Sequence, residues 1–394
     1  AHIEYHAKIL QQKYIARQLI SFTSAIETKA FDPMADVDEL MQEAESSLFE
    51  ISQKNMRQDY TQIDPVIAQA VKIMENASSN KTGLTGIPSG FHKLDAITSG
   101  WQKSDLIIIA GRPAMGKTSF ALSVAKNIAI DYQIPVAFFS LEMNNVQLVD
   151  RLISNVCEIE GKKVMNGQLT KEEWARLDKS VRKMMGKPLY IDETPGMSIF
   201  ELRTKARRLV REKGVQLIMI DYLQLMNASG ARFGNRQEEV STISRSLKQL
   251  AKELDIPIIA LSQLNRSVET RESNLEAKRP QLSDLRESGA IEQDADMVMF
   301  VHRPEYYHLL QDEKGIDLRC KAQIIIAKHR KGATGDVLLA FEGQYTRFSN
   351  LEDVALPSFG NDMGGEIVSS RLNQDDDQLS PQAMGTPFDE NPLP

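Results

Sequence analysis

Eight residues, Gly111 to Thr118 (GRPAMGKT), have the types and spacing that handle polyphosphates. They follow the apolar run Leu106–Ala110 and lead into Ser119-Phe120-Ala121-Leu122, which reads as a helix. A short buried strand, a loop of pattern G-x-x-x-x-G-K-[ST] and a helix make a phosphate-binding P-loop. Gly111 and Gly116 let the backbone of the loop, with Arg112, Pro113, Ala114 and Met115 between them, curl around phosphate oxygens. Lys117 is expected on the outer phosphates, and the Thr118 hydroxyl on a Mg²⁺ ion. A chance glycine-rich turn would bring neither the strand nor the helix. The expected ligand is a nucleoside triphosphate.

Further candidates stand where other apolar runs end. Leu217-Ile218-Met219-Ile220 delivers Asp221 to a sheet edge, as the second Mg²⁺-holding acid of a P-loop ATPase requires, directly or through a water. Val136–Leu141 ends in Glu142, either the group that orients and deprotonates an attacking water or an ordinary surface carboxylate. Pro257–Leu261 leads to Gln263, a neutral γ-phosphate sensor or a plain strand cap. Ile324–Ala327 is followed by Lys328-His329-Arg330-Lys331, which is a solvated turn or a source of cations acting on a neighbour's γ-phosphate. Periodicity does not choose within these pairs.

Elements must position these groups. Apolar runs at Leu106–Ala110, Val136–Leu141, Leu217–Ile220, Pro257–Leu261, Met297–Val301, Gln323–Ala327 and Val337–Phe341 alternate with helical segments. Such alternation predicts an α/β domain over 86–350, with a mostly parallel sheet and ligands beyond the carboxyl ends of its strands. Residues 1–53 read as a helical hairpin, with Ile9, Leu10, Ile15, Leu19 and Ile20 on one helix. Val37, Leu40, Met41, Leu48 and Phe49 are expected to face inward on the other. A hairpin cannot bury both faces, so another copy or a preceding segment should cover it.

Residues 54–85 read as a linker around one amphipathic helix. Asp64-Pro65 opens it, Val66, Ile67, Ala70, Val71 and Met74 form its stripe, and it closes near Glu75. The stripe docks on a neighbouring subunit or folds back on its own chain. Residues 351–394 read as an acidic, disordered tail with Asp375-Asp376-Asp377.

Composition sets bounds. The 394 residues are 42% hydrophobic and 26% charged, ordinary for a soluble protein. No apolar stretch approaches the ~20 residues of a membrane helix. No secretory signal opens the chain, which starts without an initiator Met as a trimmed chain or fragment would. Cys157 and Cys320 lack metal-type spacing and fit inert thiols in a reducing cytoplasm. The net charge of −7 does not exclude nucleic acid, because a local basic channel can coexist with an acidic tail.

Taken in order, GRPAMGKTSFAL, FFSLEM, LIMIDYLQLM, RQEEVSTISRSLKQLAKEL, IIALSQLNRSVE, DLRESGAIEQDAD and IIIAKHRKGATG resemble the bacterial DnaB family of replicative DNA helicases. The resemblance covers essentially all of 86–350. The hairpin is similar to the later half of that family's N-terminal domain, and the Asp64 helix to its linker helix. It implies a homo-hexameric ring of RecA-like ATPase domains that encircles single-stranded DNA and moves 5′ to 3′ at replication forks on ATP and Mg²⁺. Primase and a helicase loader are the implied partners.

By the same resemblance Glu142 is the catalytic glutamate, Asp221 the Walker B acid and Gln263 the sensor. Arg330 is the arginine finger, with Lys328 beside it. The DNA site falls on Asp284–Gly289, with Arg286, Glu287 and the Gly289 backbone on the phosphate–sugar chain. Segment 227–236 (NASGARFGNR) either faces the channel too or is a mobile surface loop. Two other readings are an ATPase that remodels DNA–protein complexes without unwinding them, and an ATP-timed scaffold.

Overall fold

The structure, a computed structural model, describes residues 3–34, 36, 37, 40, 41, 43, 44, 47, 48, 51, 63–79, 83–228, 235–269, 271, 275–311 and 315–354. Its centre is β1 (Leu106–Gly111), buried at every residue. A strand covered on both faces needs such a continuous apolar run. The other strands are β2 (Val136–Ser140), β3 (Leu189–Asp192), β4 (Leu217–Asp221), β5 (Ile258–Gln263), β6 (Met297–His302), β7 (Lys321–His329), β8 (Gly335–Glu342) and β9 (Arg347–Ser349). They lie in the order β3-β2-β4-β5-β1-β6-β7-β8-β9. The pairings from β3 through β6 are parallel, whereas β7, β8 and β9 add antiparallel pairs.

All seven expected strands are present. Two more, β3 and β9, have four and three residues, too few for a period-2 pattern to stand out.

Alternate residues of β1 feed two cores. Leu106 and Ile108 join Leu202, Ile243, Leu247 and Ile291 on one face. Ile107 and Ile109 join Leu94, Phe120, Val124 and Ile128 on the other. With α1 (Ile3–Ala30) and α2 (Ile63–Ser79) preceding the sheet, the covering helices include α3 (His92–Thr98), α4 (Lys117–Lys126), α5 (Asn145–Cys157), α6 (Gly161–Asn166), α7 (Lys171–Met184), α8 (Ile199–Lys213) and α9 (Arg236–Leu254). Two short ones, α10 (Leu275–Lys278) and α11 (Gly289–Asp294), come before β6. The parallel strands all point their carboxyl ends to one edge of the sheet. Because β7 runs the other way, its carboxyl end lies at the opposite, amino edge, where His329 pairs with Met297.

The N-terminal helices differ from expectation. Val37, Met41 and Leu48 are exposed rather than inward, as are Leu10, Leu19 and Ile20 on α1. Two helices have too few partners to cover both stripes. Lys29 Nζ donates to Glu43 Oε2 at 2.6 Å and ties the second segment to α1. Phe49 lies outside the described residues. Helix α2 starts at Ile63, so Asp64 is a first-turn acid and not the cap, and it continues past Glu75 to Ser79. Its Ile67, Val71 and Met74 are exposed. Among the described residues no helix is long and apolar enough to cross a membrane. The tail from 355 onward lies outside the described residues.

Candidate functional site

At the carboxyl edge, β1 stops at Gly111 and α4 begins at Lys117, so the five positions 112–116 turn the chain back. Gly116 has φ +90°, and a Cβ there would lie 3.2 Å from the Phe348 ring. A Cβ on Gly111 would meet the Val301 carbonyl at 3.0 Å and Lys117 Cγ at 3.3 Å. Gly116 is therefore favoured by backbone and by space, and Gly111 by space. Lys117 folds back over Gly111, and its Nζ donates to the carbonyls of Gly111 (2.8 Å) and Arg112 (3.1 Å).

The residues between divide their work. Met115 is buried and anchors the loop in the core, while Pro113 and Ala114 form its exposed tip. Arg112 turns its side chain away from the loop. Its guanidinium donates to the Leu264 carbonyl at 2.7 Å and to Glu269 Oε1 at 2.8 Å. The Arg112 side chain is thus a brace between β1 and the segment after β5.

Asp221 closes the site from β4. Its carboxylate is buried and accepts the Thr118 hydroxyl at 2.8 Å. Burial pushes the carboxyl up to about 6, with the charge of Glu142 adding to the rise; the Thr118 bond, Lys117 and Arg151 oppose it. Burial also brings the Lys117 ammonium down to about 8, against the pull of Asp221 and Glu142. A buried carboxylate and a hydroxyl side by side are hard oxygen donors that suit Mg²⁺, an ion commonly held by one or two protein oxygens plus phosphates and water. The residues present fit that ion. Among the described residues no group of three or more His, Cys, Asp or Glu could hold a metal by itself.

Glu142 and Gln263 complete the edge. Ser140 pairs with Asp221 in register and Leu141 N–H donates to the Asp221 carbonyl at 2.7 Å, so Glu142 emerges beside it, exposed. Gln263 pairs with Gly111 across β5 and β1, which sets it level with the start of the P-loop.

Lys328 and Arg330 are not brought to this edge. They sit at the amino edge, where Lys328 Nζ donates to the Ala295 carbonyl at 2.8 Å and to that of Glu292. Arg330 Nη2 donates to the Gln293 carbonyl, and Nη1 lies 3.6 Å from Asp296. The rule that functional groups follow strand carboxyl ends at one edge fails here because β7 is antiparallel. Arg330 is level with Leu106, five residue steps along β1 or roughly 17 Å from Gly111 at ~3.3 Å each. Lys328 is level with Ile108, three steps away, its ammonium turned further toward the amino edge.

The proposed DNA segment runs through a 3-10 turn, Leu282–Ser288, into α11. Gly289 opens α11, and the side chains of Arg286 and Glu287 lie outside what is described. So do residues 229–234 of the second loop. Of that loop's arginines, Arg236 pairs with Glu239 and donates to the Met226 carbonyl at 3.2 Å. It serves the loop's base.

Three groups near the P-loop carry no sequence signal of their own. Arg303 donates to the Ala114 carbonyl at 3.2 Å and lies 4.1 Å over the Phe341 ring. Glu269 receives Arg112. Gln224, three residues past Asp221, bonds to Ser262 and Gln263. Its closeness to Asp221 in LIMIDYLQLM is the one hint available.

A P-loop on the central strand, a buried acid on β4 bonded to the P-loop threonine, and a mostly parallel sheet flanked by helices define a RecA-like P-loop NTPase. Residues 86–350 match the family model described as the DnaB-like helicase C terminal domain. The replicative DNA helicase DnaC of Bacillus subtilis is 45% identical over 352 residues, covering 89% of this chain and 76% of that protein. The replicative DNA helicase DnaB of Geobacillus stearothermophilus is 44% identical over the same shares. A solved DnaB-like replicative helicase, described with its interactions with primase, has a TM-score of 0.71 at 36% identity, covering 89% of this chain and 80% of that one. The chain belongs to the DnaB-like family of replicative DNA helicases.

Proposed function

We propose that this chain is the motor subunit of a homo-hexameric replicative DNA helicase. ATP hydrolysis at interfaces between copies drives 5′-to-3′ movement on single-stranded DNA and unwinding at the replication fork. The observation that carries the shared-site geometry is the separation of its parts. The P-loop, Thr118, Asp221, Glu142 and Gln263 gather at the carboxyl edge, whereas Lys328 and Arg330 lie at the amino edge, too far from their own P-loop to serve it. Two copies placed edge to edge would complete one site.

In that site the 111–118 loop holds the phosphates of ATP, and Lys117 reaches the outer ones. Thr118 and Asp221 would hold Mg²⁺, which offsets charge on the phosphate oxygens when bound. Glu142 orients the attacking water and takes its proton. Gln263 hydrogen-bonds the γ-phosphate, and the neighbour's Arg330 and Lys328 stabilise the charge that develops there. Arg286, Glu287 and the Gly289 backbone grip the phosphate–sugar chain of the DNA. Each copy contributes Arg286 and the Gly289 backbone N–H to an inner track, so local groups and not the global charge meet the phosphates.

Residues 86–350 form the motor domain. The exposed stripe of α2, in the 54–85 linker, docks on a neighbouring copy. The 1–53 hairpin completes an N-terminal collar with which primase and a loader engage, and 351–394 is an acidic tail. The protein works in the cytoplasm.

The test is ATP turnover with and without a long single strand, for the native protein and for Arg330→Ala. Stimulation by DNA that the variant loses is the expected result. Turnover indifferent to DNA in an assembled ring would favour the scaffold reading instead.

A further inference from the structure

Gln224 lies in the 3-10 turn Leu223–Leu225 that follows β4. The ladder between β4 and β5 ends at Ile220↔Ala260, three residues short of Gln263. Beyond that level the side chain of Gln224 bridges the gap. Its Oε1 accepts the Gln263 N–H at 3.3 Å, and its Nε2 donates to the Gln263 carbonyl at 3.2 Å and to Ser262 Oγ at 2.9 Å. A primary amide offers an acceptor and two donors in one plane, so it serves both backbone groups of one residue as a strand partner would. The backbone of Gln263 is thus held by a side chain and not by a neighbouring strand on that side.

The backbone of Gln224 is tied in turn to the 227–236 segment. Its carbonyl accepts Arg236 Nη2, and the same nitrogen donates to the Met226 carbonyl at 3.2 Å. Arg236 pairs with Glu239, whose Oε1 accepts the Ala228 N–H at 3.0 Å. Both ends of the segment are therefore fastened to one another and to Gln224. Gln224 and Arg236 line a cavity of about 330 Å³ that has Gln263 on its wall, together with Asp284 and Leu285 from the start of the proposed DNA segment. The Asp284 carbonyl accepts the Asn265 N–H at 3.2 Å, so that segment also reaches the strand carrying Gln263.

We propose that Gln224 is a positioning residue: it sets the backbone of Gln263 and passes to it the state of the 227–236 and 284–289 segments. The inference rests on the reading of Gln263 as the γ-phosphate sensor of a DNA-driven ATPase. Movement of Arg236 with its segment shifts the Gln224 carbonyl, and the side chain of Gln224 turns the Gln263 peptide. A hydrogen-bonded residue with its partners on two elements is suited to two discrete arrangements.

Gln224→Glu is the sharpest variant. It keeps the volume and the acceptor for Gln263 N–H, but sets a carboxylate oxygen against the Gln263 carbonyl where a donor belongs. Gln224→Ala removes the bridge altogether. The readouts are kcat with and without saturating single strand, and Kd for a non-hydrolysable ATP analogue. Expected is a fall of about tenfold or more in the DNA-stimulated kcat of both variants, with analogue Kd within ~2-fold of native. In a Gln263→Ala background, Gln224→Ala should change kcat by less than ~2-fold, because it acts through the residue already removed.

Native stimulation in both variants, additive losses in the double variant, or analogue affinity falling in step with kcat would each overturn the inference alone. Native protein without DNA stimulation, or Gln263→Ala with full stimulation, would overturn the underlying reading and the inference with it.

Discussion

Thr118 donates its hydroxyl to Asp221 at 2.8 Å, and this bond joins the first turn of α4 to the end of β4. The two groups come from different βα units, so the bond closes the carboxyl edge into one site. It also leaves a buried carboxylate whose charge is only partly compensated, and that imbalance has measurable consequences.

Asp221→Asn should stabilise the nucleotide-free protein while removing hydrolysis. Burial raises the folded carboxyl from its ordinary 3.8 to about 6. Between those values the folded chain holds more protons than the unfolded one, so the Asp221 contribution to stability falls as pH rises from about 4 to 6. The asparagine variant lacks this loss. Its advantage over the native protein should be near zero at pH 4, grow through the window and level off above it, reaching about 1–3 kcal/mol. Thermal unfolding of both proteins across pH 4–8 measures it. A constant difference would show that Asp221 does not titrate in that range.

Lys117→Ala should abolish turnover, by about 10²-fold or more, because the phosphate cradle loses its point charge. The native lysine adds a pH signature. Its ammonium is brought down to about 8 by burial, so above pH 8 the free protein sheds the proton that phosphate binding needs. Analogue affinity should weaken with pH above 8, by up to about tenfold per unit if one proton is taken up on binding. Lys117→Arg should lack that dependence. Affinity flat from pH 7 to 10 in native protein would remove Lys117 from the phosphate contact.

Much of this site was legible from residues alone, and the reasons are local. The P-loop carries strand, turn and helix signals within about sixteen residues, and its two motif glycines are the positions where a Cβ would crowd its surroundings. Asp221 and Glu142 terminate apolar runs, which a reading of hydrophobic patterning finds directly. The side-chain direction of Arg112 was not legible, since its partners Leu264 and Glu269 are more than 150 positions away. Which edge of the sheet carries Lys328 and Arg330 was not legible, because an apolar run does not reveal whether its strand is parallel to the rest. Inward facing of Val37 and Met41 failed because amphipathic spacing states that a face must be covered, not what covers it. Gln224 was missed because a half-buried glutamine in a turn looks like any polar residue.

Arg286→Ala should weaken single-strand affinity without altering analogue affinity. If Arg286 neutralises one phosphate, the slope of log K against log salt should shrink by about 0.7 for that phosphate, the single-strand value. Titration of a labelled single strand between about 50 and 300 mM salt, a range over which screening tightens more than twofold, gives the slope. An unchanged slope would move the DNA contact to another segment, with 227–236 next in line.

Arg330→Ala tests the two-edge geometry most directly. In one chain Arg330 is held by the Gln293 carbonyl and Asp296 at the amino edge, about five strand residues from the P-loop level, so it cannot touch its own nucleotide. The variant should bind the ATP analogue within ~3-fold of native and lose about 10³-fold or more in kcat, the scale of arginine-finger losses. Glu142→Gln should be similarly inactive, for a defect at the other edge. Mixed in one ring, the two variants create some interfaces that pair an intact Glu142 with an intact Arg330. At equal proportions about a quarter of interfaces are whole if mixing is random, so turnover should return to a fraction of native that peaks near equal proportions. Recovery can occur only if the two residues serve one site from different chains. Exchange of subunits must be verified with a tagged copy. No recovery in verified mixed rings would place Arg330 outside the neighbour's site.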